Sequence, residues 1–225
     1  MQLQNLKQYL YNPICLSCGS FFVNDHLFCD ECYQKKIAPI AEMKMKPLTE
    51  KFEAYYLMNW IPFESDMLSE TVYRMKSDKC FRAWVYYAEK AADELAENLN
   101  IEQIDYIIPI PGSKNTSVHS HIFAQILGRT LRKPILNILV KTQMLTEQKR
   151  KNKTERLNKT IRLHEQFTSN LKLLGLARSH VLVVDDILTT GSSFIQSVDA
   201  LGAVKKATLL TLFHRTANSN TVLVS

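Results

Sequence analysis

Between residues 81 and 99 the apolar positions Trp84, Val85, Ala88, Ala92, Leu95 and Leu99 recur at helical spacing, while Glu89, Lys90, Asp93, Glu94 and Glu97 take the other side. That division predicts an amphipathic helix packed on a core. The period then changes. DYIIPIPG, Asp105 to Gly112, is a short apolar run ending in prolines and glycine, as expected of a parallel strand buried on both faces. Ile122 to Leu131 returns to a helical pattern, and Pro134 to Val140 is apolar enough for another strand. Val181 to Val184 reads as a strand, Ser192 to Leu201 as a helix and Lys206 to Phe213 as a strand. Helices and strands in alternation indicate an α/β fold with a mostly parallel, doubly wound sheet. Two stretches lack a period: Tyr33 to Lys51, which predicts a linker with one short helix, and the polar, basic region from Lys141 to about Asn170. No internal repeat interrupts this order.

Composition refines the division. A chain of 225 residues that is 46% apolar can bury one full α/β core and carry a small appendage. We expect a cysteine-bearing module at residues 1–45, a linker and the start of the core at 46–80, and the main domain at 81–225. No apolar run approaches the roughly 18 residues of a membrane span, and Met1 to Leu10 lacks a basic flank before an apolar stretch, so a cytoplasmic location with no membrane partner is expected. The net charge of +6 is concentrated: Lys141 to Arg178 holds ten Lys/Arg against three Asp/Glu, which leaves the remainder at −1. Such a segment suits a phosphate-bearing partner, whether a nucleotide-like molecule or a nucleic-acid backbone. A solvated helix face accounts for it equally well.

Four of the five cysteines, Cys15, Cys18, Cys29 and Cys32, form two CxxC pairs separated by ten residues. Two CxxC knuckles can present four thiolates tetrahedrally to Zn²⁺, and four thiolates leave no open position, so the metal's role is structural. An iron–sulfur cluster or free redox thiols are the alternatives. Gly19 and the Asn24-Asp25 turn fit two knuckles joined by a hairpin, with Phe21, Phe22 and Phe28 as a small core. A module of this size cannot fold unaided, so metal binding is expected to supply most of its stability. Cys80 lies far from the others and reads as a buried spectator thiol.

The densest chemistry lies in VLVVDDILTTGSS, Val181 to Ser193. The four apolar residues bring the next part of the chain to the carboxyl edge of the sheet, where open α/β folds bind ligands. Asp185 and Asp186 sit at that edge, suited to accepting hydrogen bonds from vicinal ribose hydroxyls and to shaping a Mg²⁺-bearing pocket through water. Thr189, Thr190, Gly191, Ser192 and Ser193 then make a hydroxyl-rich loop opening into a helix, whose backbone N–H groups suit a phosphate. Gly191 supplies close approach or a positive φ. A plain helix cap would explain the hydroxyls but not two adjacent acids. No GxxxxGK[ST] is present, so triphosphate hydrolysis is not supported.

These residues resemble the type I phosphoribosyltransferases, whose motif for 5-phosphoribosyl 1-pyrophosphate (PRPP) runs four apolar residues, two acids and a Thr-Gly-rich loop. With the cysteine module in front, the chain from about Cys15 to Phe213 is similar to the ComF family of bacterial competence proteins, its ComFC-like members in particular. Further parallels are the lysine-bearing segment around Lys76, the strand DYIIPIP, and TEQKRKNKTERLNKT. The resemblance implies binding of Mg²⁺·PRPP, with Asp185 and Asp186 as catalytic residues, departure of pyrophosphate, and attack by a nitrogen nucleophile through an oxocarbenium-like state. It implies that Gly112 to Asn115, Lys114 included, contacts pyrophosphate and that Gly112 to His121 belongs to a mobile hood. Where the family carries arginines and a Gly-Phe-Asn-Gln run, this chain has GSKNTSVHSHIFAQ, keeping Lys114 and Gln125. Lys141, Lys149, Arg150 and Arg156 would compensate if their segment folds over the site. His119 and His121 read as exposed loop spectators. Two functions are consistent with this resemblance: an enzyme of pentosyl transfer, or a PRPP-responsive adaptor in DNA uptake that meets single-stranded DNA or a ComFA-like ATPase/helicase.

Overall fold

A computed structural model describes residues 14–21, 23–62, 66–76, 81–112, 118–143, 159–168 and 175–216. Five strands form the main sheet: β1 (Lys44–Pro47), β2 (Glu53–Trp60), β3 (Tyr106–Pro109), β6 (His180–Leu188) and β7 (Lys206–Arg215). Their order is β1-β2-β7-β6-β3, with β1 antiparallel to β2 and every other pairing parallel. A separate antiparallel ribbon joins β4 (Leu139–Gln143) to β5 (Lys159–Leu163). The main helices are α1 (Asp66–Lys76), α2 (Phe81–Asn98), α3 (His119–Thr130) and α4 (Ser192–Leu201).

The sheet is covered on both faces. Leu57, Leu182, Val184, Leu210 and Leu212 share one core with Trp84, Tyr87 and Leu95 of α2 and Phe123 and Leu127 of α3. Val181, Val183 and Leu209 turn to the opposite core, where Phe194, Val198 and Leu201 of α4 meet Ile161 of the ribbon. Double burial explains why the central strands read as unbroken apolar runs. The two-residue alternation slips at one row. Leu57 and Met58, like Leu212 and Phe213, all pack into the α2 side, and the registers β2–β7 and β6–β7 skip the row holding Leu57, Leu212 and Asp186. Beyond it the alternation resumes with the faces exchanged: Ile187 and Phe213 turn to the α2 side and Leu188 to the α4 side.

The α/β class, the parallel sheet and the helix Ser192–Leu201 match expectation, and β6 continues past Val184 through both acids to Leu188. Other elements differ. The stretch Tyr33 to Lys51 is not only a linker: after a π-helical turn at Tyr33–Ile37 it supplies the edge strand β1. β2 lies in the sheet interior although its sequence, EAYYLMNW, shows no period, because seven of its eight residues are buried or half-buried. Pro134 to Val140 is not a strand of the main sheet. Only Ile135 bridges Ile107, held by Ile107 N–H on Pro134 O and Leu136 N–H on Ile107 O, both 2.9 Å. The chain then leaves to form the ribbon from Leu139.

The cysteine module is docked rather than freestanding. Phe28, Tyr33 and Ile37 belong to the same core as α2. Tyr87 Oη donates to His26 O at 3.0 Å, Arg82 pairs with Asp25 at 3.0 Å, and the His26 ring stacks on Tyr33 at 4.0 Å. Phe21 is 79% exposed and is no part of a module core, while Phe22 and Cys80 lie outside the described residues.

Candidate functional site

The candidate site lies where β6 ends. Period two sends Asp185 and Asp186 in different directions. Asp185 is half-buried, and its Oδ1 accepts the backbone N–H of Asp186 at 2.9 Å. Burial first, and the neighbouring Asp186 charge second, push the Asp185 carboxyl well above the usual carboxylate range; the Asp186 N–H and Lys76 offset this only in part. Asp186 is tied elsewhere. Its Oδ2 meets Lys76 Nζ at the end of α1 at 2.9 Å, with the acid side chain 15% exposed and the lysine 39%. The two acids that look equivalent in sequence therefore occupy different environments.

The loop after β6 turns on Gly191, which sits at φ +79° as the N-cap of α4 with no side chain capping the helix. The N-cap itself thus brings no hydroxyl to the helix, and the first-turn N–H groups beyond that of Ser192, together with the helix dipole, favour an anion. Thr190 Oγ1 donates to Ser192 Oγ at 3.2 Å and accepts Ser192 N–H at 3.4 Å, which braces the turn. A Cβ on Gly191 would lie 3.2 and 3.3 Å from the methyls of Leu48, so the β1–β2 hairpin supports the loop from beneath. One cleft gathers Asp185, Thr189, Gly191 and Ser193 against Ile110 and Thr211. Thr190 and Ser192 are exposed beside it. Gly112 is half-buried two residues past Ile110, whose N–H bonds Val184 O at 2.9 Å. Lys114 lies outside the described residues, as do Lys149, Arg150 and Arg156.

The family model described as the phosphoribosyl transferase domain matches residues 87–218. The chain belongs to the phosphoribosyl transferase domain family. Its matched span takes in most of α2, β3, α3, the acid-bearing strand, the loop and β7. Among solved structures it is similar to an adenine phosphoribosyltransferase at 19% identity, covering 77% of this chain and 85% of that one with a TM-score of 0.39. The adenine phosphoribosyltransferase of Saccharomyces cerevisiae gives 18%, 76%, 84% and 0.39, and that of Trypanosoma brucei 12%, 77%, 87% and 0.37. No curated protein sequence matches this one significantly.

Several supporting residues of this phosphoribosyltransferase domain carry no sequence signal. Ser120 of α3 is buried and donates to Ile110 O, tying the end of β3 to the first turn of that helix. Thr211 of β7 pairs with Asp185 of β6. Leu48 reaches the site from outside the family span, and so does Lys76, the one residue here that the sequence resemblance pointed to. The histidines are less free than expected: His121 Nδ1 meets Asn137 Oδ1 at 3.0 Å, and His119 stacks on Trp84 at 5.8 Å with its Nδ1 buried and unbonded among the described residues.

The cysteine cluster is a second site, distinct from the cleft. The four sulfur atoms of Cys15, Cys18, Cys29 and Cys32 lie within 4.8 Å of one another, and Cys18 Sγ is 3.7 Å from Cys29 Sγ. A tetrahedron with Zn–S bonds of about 2.3 Å has edges of about 3.8 Å, so the spacing fits a metal such as zinc; a disulfide at about 2 Å is ruled out. Cys15, despite burial, is held down to about 6 by backbone N–H groups of Cys18, Cys29 and Ser17. Cys18, despite the Ser20 N–H, is pushed up to about 12 by the thiols of Cys15, Cys32 and Cys29. Crowded thiols ionise together only when a cation neutralises them.

Proposed function

We propose that the protein binds PRPP in the cleft at the end of β6 and belongs, within its family, with the ComF-type competence proteins. The observation that carries the binding reading is the meeting of Asp185 with Thr189, Gly191 and Ser193 in one cleft at the carboxyl edge of a parallel sheet. The loop and the open start of α4 suit the 5′-phosphate, and Asp185 suits the ribose hydroxyls. Mg²⁺, when bound with PRPP, supplies charge neutralisation for the pyrophosphate. The Asp185 carboxyl is a fitting neighbour for it, because a buried acid crowded by another acid gains by facing a cation or a hydroxyl donor. In the enzyme reading, the protein's own residues orient the ribose, hold its 5′-phosphate and exclude water while a nitrogen nucleophile displaces pyrophosphate.

The concentration of charge between Lys141 and Arg178 favours a second reading, an adaptor in DNA uptake that retains the PRPP site and contacts single-stranded DNA or a ComFA-like ATPase/helicase in the cytoplasm. Calorimetric titration with Mg²⁺·PRPP tests the common claim: the wild type binds and Asp185→Asn does not, whereas equal behaviour of the two proteins refutes it. Pyrophosphate release in the presence of an acceptor separates enzyme from adaptor. Affinity for single-stranded DNA that falls steeply with salt supports the adaptor, and flat salt dependence removes it.

A further inference from the structure

Lys46 and His214 belong to neither site described above, yet they stand on the two elements that border the loop, the β1–β2 hairpin and the end of β7. Lys46 Nζ lies 3.0 Å from His214 Nε2, and His214 Nδ1 lies 3.2 Å from Asn59 Oδ1. An ammonium has no lone pair, so Lys46 donates and Nε2 accepts; the ring proton is then on Nδ1, donated to the Asn59 amide oxygen. His214 is therefore a neutral imidazole. It is buried, it packs on Tyr56 at 4.7 Å, and burial, with Lys46 second, keeps its basicity below the ordinary value. Among the described residues, none of the ion pairs formed engages Lys46. A half-buried ammonium is thus positioned by a neutral acceptor, with its charge uncompensated and its remaining N–H donors available.

The position of this charge gives it a use. Leu48, two residues beyond Lys46 on the same hairpin, packs against Gly191. His214 stands opposite Leu188, the residue before Thr189, and Thr211 of the same strand lines the cleft. The ammonium is held between the hairpin and the end of β7, the elements that border the loop, and the loop itself, Thr189 to Ser193, contains no cationic side chain. We propose that Lys46, positioned by His214, is the charged member of the anion site whose neutral part is that loop, and that its ligand is a phosphate monoester. For PRPP this is the 5′-phosphate, and that assignment rests on the function proposed above. Lys46 acts by binding; His214 acts through Lys46 as a positioning residue.

Calorimetry with Mg²⁺·PRPP, ribose 5-phosphate, inorganic phosphate and pyrophosphate tests this on the full chain. Lys46→Met is expected to weaken ribose 5-phosphate and PRPP at least tenfold while leaving pyrophosphate within about twofold, and Lys46→Arg is expected to restore most of the loss. His214→Phe, which keeps the ring packing but removes the acceptor, is expected to weaken ribose 5-phosphate several-fold without a matching change in melting temperature. If Lys46→Met is unstable, Lys46→Gln reads the same loss. Wild-type binding of ribose 5-phosphate that Lys46→Met and Lys46→Gln leave intact overturns the inference and leaves the PRPP reading standing. Wild-type binding of inorganic phosphate, lost in Lys46→Met, with no binding of PRPP, supports the anion site and overturns the PRPP reading.

Discussion

Gly191→Ala isolates the backbone requirement of the candidate phosphate loop. The residue adopts φ +79°, and its added Cβ would meet Leu48 Cδ2 at 3.2 Å and Cδ1 at 3.3 Å. The left-handed conformation costs an L-residue with a Cβ roughly 1–2 kcal/mol. The Leu48 methyls must retreat by a few tenths of an ångström, and a modest rotamer departure costs on the order of 0.5 kcal/mol. Together these give about 2 kcal/mol, which for a chain of this size corresponds to a fall in melting temperature of about 4–8 °C. The two contributions are separable. Measured in a Leu48→Ala background, where the crowding is gone, Gly191→Ala is expected to cost less by only the smaller part, whereas Gly191→Asn is expected to cost less than Gly191→Ala because asparagine visits the left-handed region more readily. Thermal melts followed by circular dichroism, with urea titrations of the same proteins, give the three values. A Gly191→Ala protein that melts within about 1 °C of wild type, or an asparagine variant less stable than the alanine one, refutes the assignment of the glycine to backbone conformation.

Buried titratable groups and the cysteines give two further outcomes. Burial, followed by the nearby Lys206, holds His180 at about 4 instead of its ordinary 6.5. Between those values the unfolded chain takes up a proton that the folded chain refuses, so this contribution is complete above about pH 6.5 and is lost as pH falls towards 4, spanning about 3 kcal/mol. Asp185, raised by burial, works in the opposite direction with falling pH, so the measurement is the difference between urea titrations of wild type and His180→Asn at pH 7 and pH 4.5; an unchanged difference refutes it. Metal analysis is expected to find one zinc per chain, and Cys18→Ser or a strong chelator to remove it and lower the melting temperature. Because Tyr33 and Ile37 are anchored on α2, the α/β core is expected to persist after metal loss, and a single cooperative loss of all ellipticity on chelation would contradict that.

The elements legible in the sequence are those whose cause is local. The helix starting at Ser192 comes directly from a glycine turn, and the helix beginning at Phe81 from its own period. The CxxC spacing brings four sulfurs together because two tight knuckles fix the geometry over a few residues. β2 is hidden in the sequence because a strand buried on both faces has neither alternation nor helical period. The apolar run from Pro134 reads as a sheet strand because burial against α4 and burial in a sheet leave the same signature: Ile138, Leu139 and Ile161 bury on the α4 side through the ribbon instead. Contacts between distant residues leave no trace at all. Lys46 and His214 are 168 positions apart, and Tyr87 and His26 are 61.

The paired acids show how such long-range contacts change the chemistry of a motif. Adjacent residues in a strand face opposite sides, so an Asp-Asp pair at a strand end cannot present both carboxylates to one cleft unless the chain bends. Here the alternation holds as far as Asp186 and delivers that acid to Lys76 on α1, while Asp185 stays with the loop and Thr211; the slip comes after both acids. The ion pair draws Asp186 away from the cleft, and Asp185 is left facing it with its carboxyl raised by burial. A ligand or cation at the cleft therefore acts first on Asp185, and any recruitment of Asp186 must compete with an ammonium 2.9 Å away. The position of α1 thus sets how many of the two acids are available to a ligand.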